Sequence, residues 1–267
     1  MKKKLCRITA LLLAAVLSLG GCGQPGAGKK RTDSTQQTEE TKNKKEDQSK
    51  SDKKGPEIDG LTYESTMDLT YATEFDVYDY KDGYKLLDVH EDRQYLVVPE
   101  GKEAPEGLSE DIVVLQQPLD HIYMAATAIM SLLDAVDAID QVKFSGLNAS
   151  GWYVEDAKKA MESGDMIYAG KYSEPDYETL VNGECDLAVE STMILHTPKV
   201  QEMIEDLDIP VFVDYSSYES HPLGRTEWIK LYGAMLNKED AADAFFEKQV
   251  ENVDALKDFK NTEKTVA

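Results

Sequence analysis

The chain has 267 residues and carries 51 Asp and Glu against 29 Lys and Arg, a formal net charge of −22. An acid excess of that size repels nucleic acid and anionic membrane surfaces, so DNA, RNA and acidic lipid are disfavoured as partners. Two of the three cysteines fall in the first 22 residues, so a chain processed there keeps no pair for an intramolecular disulfide and no CxxC metal site.

The first 22 residues, MKKKLCRITALLLAAVLSLGGC, place basic Lys2, Lys3, Lys4 and Arg7 before an apolar run from Ile8 to Leu19. That order predicts a secretory signal over 1–21, with an apolar part too short to span a bilayer stably. Leu19-Gly20-Gly21-Cys22 resembles the lipobox of bacterial lipoproteins, which implies that Cys22 is acylated and becomes the first mature residue. Two or more acyl chains anchor stably where one does not. The implied location is the extracytoplasmic face of the cell membrane, with the lipid as the only membrane attachment.

Residues 22–57 are expected to form a disordered linker, because Gly23 to Lys54 holds no aromatic and almost no apolar residue. A polar coil of this length spans roughly 30 Å. The linker from Gly23 to Lys54 has nine basic against six acidic residues, while residues 55–267 have sixteen against forty-five, so the acidity resides in the part expected to fold.

Residues 58–100 are expected to form a β-hairpin region: Thr73 to Tyr80 and Tyr84 to Val89 are rich in aromatic and β-branched residues, and Lys81-Asp82-Gly83 joins them. An α/β lobe is expected over 101–237. Ile112-Val113-Val114-Leu115 reads as a strand buried on both faces. Ile122, Ala125, Ala126, Ile129, Leu132, Leu133, Val136 and Ile139 then follow the three-and-four spacing of a helix. Short strands at Val142–Phe144, Met166–Ala169, Asp186–Val189 and Val211–Asp214 alternate with helices at Val154–Glu162, Tyr177–Val181 and Pro198–Leu207. Such alternation demands a Rossmann-like parallel sheet with helices on both faces. A helix is expected at Glu227–Leu236 and a long one over 238–262. Thr265-Val266-Ala267 reads as the opening of a further strand, so 263–267 are expected to begin a second lobe absent from the chain.

Ligands of such sheets gather at the carboxyl ends of strands. Four segments are candidates: Gln116 to His121, Ser145 to Tyr153, Glu190 to Thr192, and Tyr215 to Arg225. Gln117, Trp152, Tyr153, Ser191, Thr192, Tyr218, His221 and Arg225 are the candidate ligand contacts, offering rings for stacking, hydroxyls and one guanidinium for a ligand with a planar or anionic part. Each also has a plain structural reading: Trp152 as a plug, Arg225 paired with Glu219 or Glu227, and Ser191 and Thr192 as caps. His221 with Glu219 makes a weak metal pair, and Cys185 reads as a small buried residue. No catalytic motif is found, no cofactor or metal is expected, and the four histidines are scattered.

The segment Ser217 to Lys230, Ser-Tyr-Glu-Ser-His-Pro-Leu-Gly-Arg-Thr-Glu-Trp-Ile-Lys, runs into Leu231 to Leu236 and then Asn237-Lys238-Glu239-Asp240-Ala241-Ala242. Together with Pro175-Asp176-Tyr177-Glu178 and Asp186 to Val189, it resembles the ABC-transporter substrate-binding lipoproteins of the iron-siderophore, heme and cobalamin class. The resemblance covers roughly Asp111 to the end. It implies the first lobe of a two-lobed receptor, a long helix leading to the other lobe, a ligand such as an iron chelate, heme or corrinoid, and delivery to a permease and its ATPase. By the same resemblance Glu178 matches the acidic residue that docks on the permease. A non-transport sensor or adhesion lipoprotein is the alternative, and a hydrolase using Ser216, Ser217 or Ser220 a further one.

Overall fold

The structure is a computed structural model that describes residues 54–90, 92–256 and 259–260. The signal segment, Cys22, all but the last residues of the linker, and the strand expected from Thr265 lie outside the described residues.

Two sheets share most of the core. The first has five strands in the order β1 (Tyr63–Thr66), β2 (Phe75–Tyr80), β3 (Lys85–Val89), β4 (Gln94–Val98) and β5 (Ile112–Gln116). Its first four strands run antiparallel, and β5 adds parallel to β4. The expected hairpin is β2–β3, turned at Lys81–Gly83 with Asp82 and Gly83 in the left-handed region, φ 65° and 86°. Strict alternation gives the sheet two buried faces. Phe75, Val77, Tyr95 and Val97 enter the main core, while Tyr78, Tyr80, Leu96 and Val98 build a smaller one with Ile58. The sheet continues to Gln116, past residue 100, where the hairpin region was expected to end.

The second sheet is wholly parallel. Its strands are β6 (Ile122–Met124), β7 (Val142–Ser145), β8 (Ile167–Tyr168), β11 (Leu187–Ser191) and β12 (Val211–Asp214), in the order β12-β11-β6-β7-β8. Between β8 and β11 lies a small antiparallel pair, β9 (Gly170–Lys171) with β10 (Glu174–Pro175). The helices α1 (Met130–Ala135), α2 (Glu155–Ser163), α3 (Tyr177–Asn182), α4 (Pro198–Glu205), α5 (Pro222–Leu236) and α6 (Glu239–Asp254) complete the chain. The fold is α/β, a parallel sheet flanked by helices, as the alternation of elements required.

Two sequence expectations are corrected. Ile122-Tyr123-Met124 is not the start of a helix but the central strand; the helix itself spans only Met130–Ala135. Ile122 to Met124 are all buried, and a strand covered on both faces has no alternation to set against a helical spacing. Ile112 to Leu115 form a strand, but at the edge of the first sheet and not in the parallel one. Its apolar run is still explained by two covered faces, since Val113 and Leu115 meet the main core and Ile112 and Val114 the smaller one.

Helix α5 is buried around most of its circumference, including Glu227. It passes close to α6 at Gly233, where an added Cβ would stand 2.8 Å from the Cβ of Ala242. The Glu227 carboxylate accepts the backbone amides of Thr70, Tyr71 and Ala72 at 2.9, 2.7 and 2.8 Å. Glu219, just before the helix, accepts Thr73 N and Glu74 N at 3.0 Å and the Trp228 indole N–H at 3.0 Å. Five consecutive amides ahead of β2 are thereby satisfied by two buried carboxylates. Charged acceptors make the stronger hydrogen bonds, and an orphaned buried amide costs about 1–3 kcal/mol. Glu227→Ala should therefore destabilise the fold by about 3–5 kcal/mol in urea denaturation; a loss below about 1 kcal/mol would contradict this account.

Candidate functional site

Numbered within the parallel sheet alone, the strand order is 5-4-1-2-3, so the chain reverses its direction of travel between β6 and β11. At such a switch point the connections leave on opposite faces and open a crevice at the carboxyl ends, where ligands of open α/β sheets bind. Here the crevice floor is closely stitched. Ala125 N and Ala126 N both donate to Val189 O, and Gly146 N donates to Met124 O. A Cβ on Gly146 would lie 3.0 Å from the Cα of Ala125 and 3.2 Å from Met124 O, so a side chain here would crowd the approach of these loops.

Glu190 is the most unusual residue at this point. It belongs to β11, is 0% exposed, and neither carboxylate oxygen has a hydrogen-bond partner. Burial pushes its carboxyl up to about 9, so it is a neutral acid at pH 7. Burial pushes up the phenols of Tyr123 and Tyr177, and the Glu190 carboxylate adds to the effect on both. The sequence placed Glu190 in a candidate loop, but not among the chosen contacts. Nothing in a lone Glu after Leu187-Ala188-Val189 signals a carboxylate left without donors.

Most of the residues chosen from sequence lie around the same end of the sheet. Trp152 is buried beneath the β7 loop and its indole N–H donates to Ser145 Oγ at 2.9 Å, whereas the adjacent Tyr153 is 97% exposed. Ser191 and Thr192 follow Glu190, and Ser191 Oγ accepts Met193 N as a cap. After β12, Tyr218 is 60% exposed with its ring 5.4 Å from that of Tyr215.

Other choices are committed elsewhere. Arg225 does not pair with Glu219 or Glu227 through their carboxylates; its guanidinium donates to the carbonyls of Glu219 and Ser217, tying down the loop. His221 caps α5 by accepting Leu223 N at Nδ1, and its ring stacks on Tyr71 at 4.6 Å. The Glu219 oxygens are filled by backbone amides, so a His221–Glu219 metal pair has no acidic partner. Ser216 Oγ is bound to Asp214 Oδ1 at 2.6 Å. Trp228, fully buried, packs on Phe75 and donates its indole N–H to Glu219. Cys185 is buried, its thiol pushed up to about 12 by desolvation, in keeping with an inert packing role.

Gln117 stands apart. Its side chain is buried, donating to Met235 O at 2.9 Å, and it precedes β6, which places it at the amino end of the sheet and away from the other candidates. Asp120 and His121 share that end, and with Asp186 they form a mixed nitrogen and oxygen group among the described residues. Glu178 is exposed on α3, distant in role from both ends.

No family model matches the chain. An uncharacterized lipoprotein of Methanocaldococcus jannaschii is 28% identical over 159 residues, covering 56% of this chain and 37% of the relative. The chain thus matches little more than a third of that relative's length. The periplasmic heme-binding protein HutB of Vibrio cholerae aligns with a TM-score of 0.43 at 19% identity, over 54% of this chain and 51% of that one. A periplasmic heme-binding protein of Pseudomonas aeruginosa aligns with a TM-score of 0.41 at 14% identity, over 52% and 46%. For SirA of Staphylococcus aureus complexed with staphyloferrin B the values are 0.38 and 18%, over 51% and 43%.

The buried acid carries a pH dependence. In the unfolded chain Glu190 loses its proton near 4.5 and in the folded one near 9. Between those values the native state holds the extra proton, so stability falls as pH rises through this window. Glu190→Gln should stabilise the protein by about 2–3 kcal/mol at pH 7. It should also flatten the loss between pH 5 and pH 8 in urea denaturation; an unchanged slope would show that the side chain finds a partner in solution.

Proposed function

We propose that this chain is the ligand-binding lobe of an extracytoplasmic solute-binding lipoprotein that hands a small molecule to an ABC permease and its ATPase. The observation that carries the reading is the switch point, with exposed tyrosines on two loops at the same end of the sheet, after β7 and β12. A side chain as exposed as Tyr153 contributes nothing to the core, and an exposed ring beside a strand end is a ready face for stacking. Tyr218 offers a second ring and hydroxyl. The ligand class is an iron chelate, heme or corrinoid, all with flat or anionic parts, in line with the resemblance of the segment Ser217 to Ala242 to receptors for such ligands.

Two further features agree with this role. The signal and Cys22 supply an anchor, and the relative from Methanocaldococcus jannaschii carries the description of a lipoprotein. Among the described residues no helix is long and apolar enough to cross a membrane. In this reading the lipid alone holds the chain to the surface, and Glu178, exposed on its short helix, meets the permease.

Trp152 is the natural reporter, since it lies under the loop that presents Tyr153. Titration of the protein with ferric siderophore, hemin and cobalamin should quench its fluorescence for one of the three. Tyr153→Ala and Tyr218→Ala should each weaken that binding about fivefold without altering thermal stability. No response to any of the three would reject the ligand class. In cells bearing the whole importer, Glu178→Arg should leave folding intact and abolish stimulation of uptake; undiminished uptake would remove Glu178 from the docking surface.

A further inference from the structure

At the amino end of the parallel sheet, opposite the switch-point loops, β6 and β11 begin side by side and the residues just ahead of them converge. Asp186 Oδ2 accepts the backbone amides of Asp120 and His121 at 2.8 and 2.9 Å, which fixes the carboxylate on its neighbour strand. His121 Nδ1 lies 2.8 Å from Asp120 Oδ1. One ring nitrogen of His121 and one carboxylate oxygen from each aspartate all lie within 4.8 Å of one another. A cavity of about 500 Å³, lined in part by Asp120, His121, Asp140 and Gln141, opens beside them.

This end also holds unmet acceptors. Asp186 Oδ1 is buried without a hydrogen-bond partner, and so is Gln141 Oε1 in the cavity wall. Buried acceptors are nearly always satisfied, so an orphaned carboxylate oxygen next to a second carboxylate calls for a missing positive partner. A cation at this point would give that oxygen a partner.

We propose that Asp120, His121 and Asp186 form a site for a borderline divalent cation such as zinc or nickel, its remaining positions taken by water on the side of the cavity. One imidazole with two carboxylates suits such ions better than calcium or magnesium, which take all-oxygen shells. Tetrahedral bonds of about 2.0–2.2 Å put ligand atoms about 3.3–3.6 Å apart, so the group must adjust: separations of up to 4.8 Å must close to that range and the 2.8 Å between His121 Nδ1 and Asp120 Oδ1 must widen to it. Asp120 and His121 are free to do so, with side chains 55% and 38% exposed, while Asp186 is held in place by its two amides. Local pattern carries no sign of this site because Asp186 lies 65 residues from His121 and meets it only through the pairing of β6 with β11.

The test is isothermal titration of the full chain, stripped with chelator, against zinc chloride at pH 7. One site of micromolar affinity is expected, together with a rise in Tm of about 5 °C at saturating metal. His121→Ala and Asp120→Asn should each weaken binding at least tenfold with circular dichroism unchanged, whereas His90→Ala should leave it unaltered. Asp186→Asn keeps an acceptor for the two amides and should also lose the metal. The absence of binding at millimolar zinc would overturn the proposal, and so would equal affinity in His121→Ala and the parent chain.

Discussion

Two buried carboxylates on one side of the molecule and a run of five amides on the other hold this fold in register. Residues 70–74 form no helix or strand, and their N–H groups point to two buried carboxylates in a partly buried setting. A sheet or helix would normally satisfy them; here Glu219 and Glu227 do so from more than 140 residues away. Each carboxylate is compensated by several donors at once, which is the condition under which burying a charge is tolerable. The consequence reaches both sheets. The anchored segment leads directly into β2, the second strand of the first sheet, while Glu227 belongs to the helix that fills the main core. The angle between the antiparallel sheet and α5 is therefore set by hydrogen bonds with fixed lengths and directions, and apolar packing fills the space that they define.

The same helix positions the parallel sheet. Tyr232 on α5 donates to Asp214 at the end of β12 at 2.8 Å, and Phe212 packs between Tyr232 and Tyr95. Asp214 in turn accepts Ser216, which starts the loop that carries Tyr218. A continuous path of buried hydrogen bonds and ring contacts thus runs from the first sheet through α5 to the loop at the strand ends. Arg225 completes it by clamping the carbonyls of Ser217 and Glu219. The guanidinium that looked available for a ligand is spent on holding the loop in shape.

The parallel sheet was legible in the sequence wherever short apolar strands alternate with amphipathic helices: Val211 to Asp214 form a strand with the bounds read from their composition, and α2, α3 and α4 fall where expected. Legibility failed at the centre of the sheet, because Ile122 to Met124 are enclosed on every side and such a strand has no polar residues to mark its period. The site was readable as a set of loops but not as a set of roles. Trp152, His221 and Arg225 are the residue types that bind ligands, and also the types that plug, cap and clamp. Which role wins depends on partners such as Ser145 and Tyr71 that local pattern does not specify. Glu190 and the Asp120, His121 and Asp186 group were hidden for the same reason, being made unusual only by what stands, or fails to stand, next to them.

The outermost strand of the parallel sheet has a further consequence. Among the described residues β12 has a neighbour on one side only, and an open strand edge is a template on which another chain can pair. The hydroxyl of Tyr95 reaches across from the first sheet to accept Val213 N at 3.4 Å, occupying a donor in the middle of that edge. At the opposite border β8 is only two residues long, and Gly170 at φ 85° turns the backbone away soon after it. Neither border offers the long flat row of free amides from which sheets grow between molecules. The parallel sheet is therefore shielded from pairing between molecules by its own geometry, a protection that does not weaken when salt screens the negative charge.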